Sequence, residues 1–288
     1  MAVVASSLRD AVRTVSPRSR RYQQLLDSCD LEPSQVAGSA PPGADVIICG
    51  CPRSGTALVT AALHQPPAMV TVMEPWDGLR LEPAQLFDSL RQELAGGWLR
   101  RGRLDLGALA DRGEVAWTAE GRPQAVQVDD STLLGVKWPT YWQLLPMLPD
   151  TRFVVTVRHP ADVVDSFARQ PGRLRDGLEY DVAFNRSLNA ALGTIDSIAE
   201  RRLALYDAAN RTVLEHAHRP NVHIVRYEDW HHDRDGVLHA LSRFLNRDLT
   251  TSPVRVTDHR PDSRERHDQD GLRAAVVDAS LTARDLGY

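Results

Sequence analysis

Lysine is all but missing from this chain. Of 34 basic residues, only Lys137 is a lysine; the arginine bias, with abundant Ala, Val and Asp, is what a GC-rich coding sequence gives. Cysteine is scarce as well. Cys29, Cys49 and Cys51 have no metal-ligand spacing and read as small buried residues of a reducing compartment. The ten histidines make no H-x-x-x-H or H-E-x-x-H pattern, so no metal is expected. No apolar run approaches the ~20 residues of a spanning helix, and charges enter by Arg9 and Asp10, before any secretory h-region. The expectation is a soluble, cytoplasmic protein without a membrane span. A net charge of −4 gives no bulk basic signal for nucleic acid or a membrane surface.

What is there is ordinary globular material: 288 residues, 42% hydrophobic and 25% charged, enough to bury one large α/β core with an appended segment. Residues 1–43 read as an N-terminal helical arm (Leu8 to Cys29) and linker, either a cap on the domain or a homo-oligomer contact. Residues 44–288 read as the domain. Short apolar runs at Val46–Cys49, Met69–Met73, Leu133–Lys137, Arg152–Val157 and Val222–Val225 predict buried strands. Helical patterns lie between them: after Thr56, over Pro83–Leu94, Thr140–Met147, Ala161–Arg169, Asp181–Leu205 with continuation to His216, Gly236–Leu245 and Leu272–Leu281. Strands alternating with helices predict a three-layer α/β domain, a central, mostly parallel sheet flanked by helices. Residues 78–130 are the least periodic and are expected to form a variable substrate surface, with 170–190 and Arg169, Arg173 and Arg175.

The chemistry is concentrated at strand ends. The stretch Gly50-Cys51-Pro52-Arg53-Ser54-Gly55-Thr56 joins a strand to a helix, the geometry in which loop N–H groups and a helix N-terminus hold phosphate. It has the two glycines of a Walker A loop, G-x-x-x-x-G-K-S/T, but Thr56 stands at the lysine position and the positive charge is Arg53. A second anion site is expected where Arg158 ends its strand: Pro160 starts a helix, and Ser166 lies two turns along it, so a guanidinium and a hydroxyl converge. A ligand with two separated phosphate groups would satisfy both sites. Taken singly, each motif also fits tight packing or a surface ion pair; their coincidence at successive strand ends favours a ligand site.

These motifs resemble the PAPS-dependent sulfotransferases. C-P-R-S-G-T is similar to that family's 5′-phosphosulfate loop, V-R-H-P-A-D-V-V-D-S to its 3′-phosphate motif, and V-R-Y-E-D-W to its Y-E-D strand end, in the same order over residues 44 to 245. The layout is nearest to the tyrosylprotein, carbohydrate and bacterial members, with a P-loop-like fold. The resemblance implies 3′-phosphoadenosine 5′-phosphosulfate as cosubstrate, held by Pro52, Arg53, Ser54, Gly55, Thr56, Ala57, Arg158, Ser166 and Tyr227, with the Tyr227 ring on the adenine. It also implies Glu74, 21 residues after Arg53, as general base, and Lys137, in V-K-W-P, as the group on the sulfuryl oxygens beside Arg53. A compact ammonium can follow a transferring oxygen where a planar guanidinium cannot, which gives the lone lysine a reason.

Three departures stand out. Ala57 replaces the second loop threonine, Trp138-Pro139 follow the lysine where cytosolic members carry a K-T-H base, and their C-terminal R-K-G-x-x-G loop is absent, with Arg264, Arg266 and His267 as candidate substitutes. The expected reaction is sulfuryl transfer to a hydroxyl of a small-molecule or carbohydrate acceptor, without a metal. The alternatives are a P-loop-like kinase or NTPase, disfavoured by Thr56 and by the missing Walker B acid, and a noncatalytic nucleotide-binding module.

Overall fold

The computed structural model describes residues 29–36, 38–41, 43–75, 77–99, 104–105, 116–117, 124–170, 172–249 and 263–288. The expected arm helix from Leu8 lies outside them.

Five strands make the main sheet: β1 Val46–Gly50, β2 Met69–Met73, β7 Leu133–Lys137, β8 Arg152–Val157 and β9 Val222–Arg226. Their order is β2-β7-β1-β8-β9, and every neighbouring pair is parallel. The expected strands are therefore present, and the main sheet is wholly rather than mostly parallel. β1, β2 and β7 are buried along their whole length. Burial on both faces is why they read as continuous apolar runs instead of an alternation.

Alternate residues still go to opposite faces. Ile47, Val72, Val136, Phe153 and Val155 join one core with Trp138, Tyr141, Phe167 and Tyr206. Val46, Ile48, Met73 and Val154 join the other with Val59, Leu63, Leu238 and Leu241. The second core is closed by α1 (Thr56–Leu63) and, after α2 (Pro83–Ala95), α3 (Pro160–Ala168), α4 (Arg186–Gly193) and α5 (Ile198–His216), by α6 (Arg234–Leu245). Helices α3 and α5 supply Phe167 and Tyr206 to the first core. The result is the three-layer α/β arrangement expected.

Several boundaries differ for local reasons. The segment after β7 is a 3-10 helix, Pro139–Leu144, not an α-helix to Met147. The long helix expected from Asp181 is broken: Ala183–Asn185 is a 3-10 turn, α4 ends at Gly193, and α5 restarts at Ile198 with Ser197 Oγ accepting from Glu200 N–H at 3.4 Å. Serine is a favoured N-cap, so T-I-D-S is a stop and a new start. The stretch 78–130 carries α2 and two small antiparallel ribbons, β3 (Trp98–Leu99) with β6 (Gln124–Ala125) and β4 (Leu104–Asp105) with β5 (Ala116–Trp117). The final helix, α7, runs Ser263–Ala279, earlier and longer than expected.

Two buried carboxylates fasten the layers. Asp45, at the entry to β1, accepts from Leu134 N–H at 3.1 Å and from Arg91 Nε of α2 at 2.9 Å. Asp207 of α5 accepts from Ser280 Oγ at 2.6 Å, Thr282 Oγ1 at 2.8 Å and Leu281 N–H at 3.1 Å, holding the segment after α7. No helix among the described residues is long and apolar enough to cross a membrane.

Candidate active site

Strand order puts the singled-out residues in one row along the carboxyl edge of the sheet. Crossing from β2 to β9, the strands end in Glu74, Lys137, the loop after Gly50, Arg158 and Tyr227. Neighbouring strands lie about 4.8 Å apart, so the row is about 20 Å long with the β1 loop at its centre. Ligands of parallel α/β sheets bind at this edge.

The loop is built for close backbone approach. Gly50 has φ 151°, and a Cβ there would lie 2.4 Å from Thr156 O. Gly55 has φ 100°, and a Cβ would lie 2.4 Å from Tyr227 Cδ2, so the Tyr227 ring packs directly on the loop. Arg53 is itself left-handed, φ 73°, a costly conformation for a side-chain-bearing residue that concentrates at ligand sites. Gly55 is the N-cap of α1 and supplies no side-chain cap, which leaves first-turn N–H groups available to an anion. Thr56 opens the helix and is buried, and Ala57 sits in the first turn beside it. Pro52 is buried under the loop. Ser54 is turned inward: its Oγ shares a hydrogen bond of 2.7 Å with Thr156 Oγ1, and its N–H donates to Cys51 O at 3.0 Å. Its side chain shapes the loop.

Arg53 is the hub. Its Nε donates to Ser166 Oγ at 3.0 Å, and its carbonyl accepts from Arg158 Nη1 at 3.2 Å. Ser166 thus meets Arg53 directly, and Arg53 links the loop after β1 to both Ser166 and Arg158. Although Arg53 is exposed at the rim, its guanidinium is crowded. Desolvation, then the Arg158 charge, pull its pKa below the ordinary arginine value, while Glu74 and Tyr180 act the other way. Arg158 lies over the Tyr227 ring, 4.2 Å from its centroid, and its Nε is buried without a partner. A guanidinium with an unmet donor beside an uncapped helix start and a two-glycine cradle fits a phosphorylated ligand.

On the other side of the loop, Lys137 Nζ is ion-paired with Glu74 Oε1. Lys137 is 3% exposed. Glu74 is left-handed at φ 43°, with its N–H donating to Lys137 O at 2.7 Å. The turn after it is pinned by Trp138 Nε1 to Pro75 O at 3.1 Å and by the Tyr141 hydroxyl to Gly78 O. The aromatics after the lysine thus set the turn after Glu74 as well as filling the core.

The Y-E-D strand end does more than present Tyr227. Glu228 Oε1 accepts from His159 N–H at 2.8 Å, and Glu228 Oε2 accepts from the Tyr288 hydroxyl at 3.0 Å. His159 Nδ1 caps α3 by accepting from Ala161 N–H at 3.2 Å. Arg273 of α7 pairs with Asp162 of α3, so the C-terminal segment braces the start of that helix. The side chains of Arg264, Arg266 and His267, suggested for the nucleotide, lie outside the described residues.

Sequence reasoning passed over Glu179 and Tyr180. Glu179 is fully buried, and burial followed by the Glu74 charge pushes its pKa up to about 8, while the Tyr180 N–H and Lys137 pull it down. Tyr180 stands edge-on to Trp138, ring centroids 6.5 Å apart, and its hydroxyl pKa is raised by burial, then by Glu74 and Glu179. The stretch 170–190 has no period to announce them; the bulky run Leu178-Glu179-Tyr180 is the only local sign of burial.

A sequence model described as the Sulfotransferase family matches residues 45–251. No curated protein sequence matches. Among solved structures, a sulfotransferase from Alicyclobacillus acidocaldarius is 16% identical with TM-score 0.42, covering 83% of this chain and 94% of that one. The sulfotransferase domain from the Synechococcus PCC 7002 olefin synthase is 20% identical with TM-score 0.43, covering 79% and 84%. A mouse sulfotransferase complexed with PAP is 14% identical with TM-score 0.41, covering 87% and 70%.

Proposed function

The chain belongs to the sulfotransferase family, and from that membership we propose that it moves a sulfuryl group from 3′-phosphoadenosine 5′-phosphosulfate to a hydroxyl of a small-molecule or carbohydrate acceptor. The observation that carries this reading is the Lys137–Glu74 ion pair beside a phosphate cradle whose Arg53 reaches Ser166.

The donor, when bound, supplies the sulfuryl group and a nucleoside bisphosphate leaving group. The residues divide on either side of the β1 loop. The Arg158 guanidinium, Ser166 and the Tyr227 ring take the 3′-phosphate and the base. The loop N–H groups, Thr56 and the Arg53 guanidinium take the 5′-phosphate end, with Ala57 giving no hydroxyl there. Lys137 supplies a compact charge to oxygens on which negative charge grows, the electrostatic contribution that dominates group transfer. Once Lys137 turns to those oxygens, Glu74 Oε1 is released to accept the acceptor's proton.

Two measurements test the reading. Incubation with 35S-labelled donor and an extract should label an acceptor. Calorimetry should show adenosine 3′,5′-bisphosphate binding; tight binding of Mg-ATP with none of the bisphosphate would sink the proposal in favour of a kinase or NTPase.

A further inference from the structure

One carboxyl near the site has no assigned work. Glu179 is 1% exposed, and its main chain is fixed. Its N–H donates to Asn189 Oδ1 at 2.9 Å, and its carbonyl accepts from Asn189 Nδ2 at 3.2 Å and Arg173 Nε at 3.1 Å. Its Oε1 is buried with no hydrogen-bond partner. The groups acting on its side chain are Glu74 from the end of β2, Lys137 from β7 and the N–H of Tyr180 beside it; from the loop after β1, Cys51 feels the Glu179 charge in turn.

A buried carboxylate is tolerated only with a cation or full hydrogen bonding. Glu179 has neither of its own, because the nearby ammonium is taken by Glu74. The group therefore keeps its proton.

We propose that Glu179 is a positioning residue for the transfer: as a buried neutral acid it leaves Lys137 paired with Glu74 alone. This rests on the sulfuryl-transfer reading above. The consequence is one of charge. With Glu179 neutral, Arg53, Arg158 and Lys137 outweigh Glu74, and the site is net positive toward a polyanionic donor. With Glu179 ionised, that excess shrinks by one charge and two carboxylates compete for one ammonium. A positively biased site of low polarity is where such charges act most strongly.

The test is a pH profile with a donor-independent control. In the wild type, kcat should fall to a lower level as pH rises through a transition near pH 8. Glu179→Gln, which is neutral at every pH, and Glu179→Leu should both lose that transition, whatever their rate at neutral pH. A purely structural role would lower Tm in the variants and leave the transition in place, and that result would overturn the proposal. Infrared difference spectroscopy of the free protein reads the charge state directly. A protonated-carboxyl band at pH 7 that is missing from Glu179→Gln supports the proposal, and no such band in the wild type refutes it. Absence of any sulfuryl transfer by the wild type would count against the reaction, a failure the infrared band distinguishes from a failure of the charge assignment.

Discussion

Arg53 Nε donates to Ser166 Oγ at 3.0 Å across 113 positions of sequence, tying the loop after β1 to the helix after β8. The bond holds the only charged side chain of the loop beside Ser166 and Arg158. Hydrogen bonds to charged groups contribute about 1.5–3 kcal/mol. Ser166→Ala should weaken adenosine 3′,5′-bisphosphate binding about tenfold or more by calorimetry and lower Tm through loss of the same bond. Arg158→Ala should weaken the 3′,5′-bisphosphate far more than adenosine 5′-monophosphate; equal losses would argue against a 3′-phosphate clamp.

Gly55 has its left-handed φ of 100° and the Tyr227 ring against its α-carbon. Alanine there would be strained and would drive its Cβ into the ring. Gly55→Ala is expected to displace Tyr227, cut bisphosphate affinity by at least tenfold and destabilise the fold by about 1–2 kcal/mol. Urea unfolding and calorimetry on the same sample check both parts. Unchanged affinity would mean that Tyr227 does not contribute to nucleotide binding.

Lys137 is the only lysine of the chain, and it is buried against Glu74. A planar guanidinium cannot replace a compact ammonium at a transferring oxygen. Lys137→Arg should therefore lower kcat by about 100-fold with bisphosphate binding retained. Glu74→Gln should lower kcat within the 100- to 10,000-fold range of a lost general base. A Glu74→Gln variant with full turnover would remove Glu74 from that role.

The strands were legible because a parallel strand buried on both faces leaves an unbroken apolar run, as in Val46–Gly50 and Arg152–Val157. The loop was legible because its glycines and Arg53 form a pattern with a physical purpose. What stayed hidden was set by distant packing. Ser54 looks like a ligand group in the motif, and its hydroxyl also meets that of Thr156, on another strand. Glu179 lies in an irregular stretch, and its main chain is fixed by Arg173 and by Asn189, ten residues on and in the next helix. The bond between Arg53 and Ser166 depends on how β1 and β8 lie side by side, which motif spacing does not encode.

Fold stability should also report Glu179. Its folded pKa of about 8 lies above the ordinary glutamate value of 4.5, so between these two pH values the folded state binds more protons than the unfolded state. By linkage, stability then falls as pH rises. The sign is opposite to that of an ion-paired carboxylate: this group's penalty is absent below about pH 4.5, grows through the window, and is complete above about pH 8. Glu179→Gln has no proton to lose and removes the term. Urea unfolding at a series of pH values should therefore show a stability difference between Glu179→Gln and wild type that shifts toward the variant as pH rises from about 5 to about 8. A difference that stays flat across that range would mean that Glu179 is ionised in the fold.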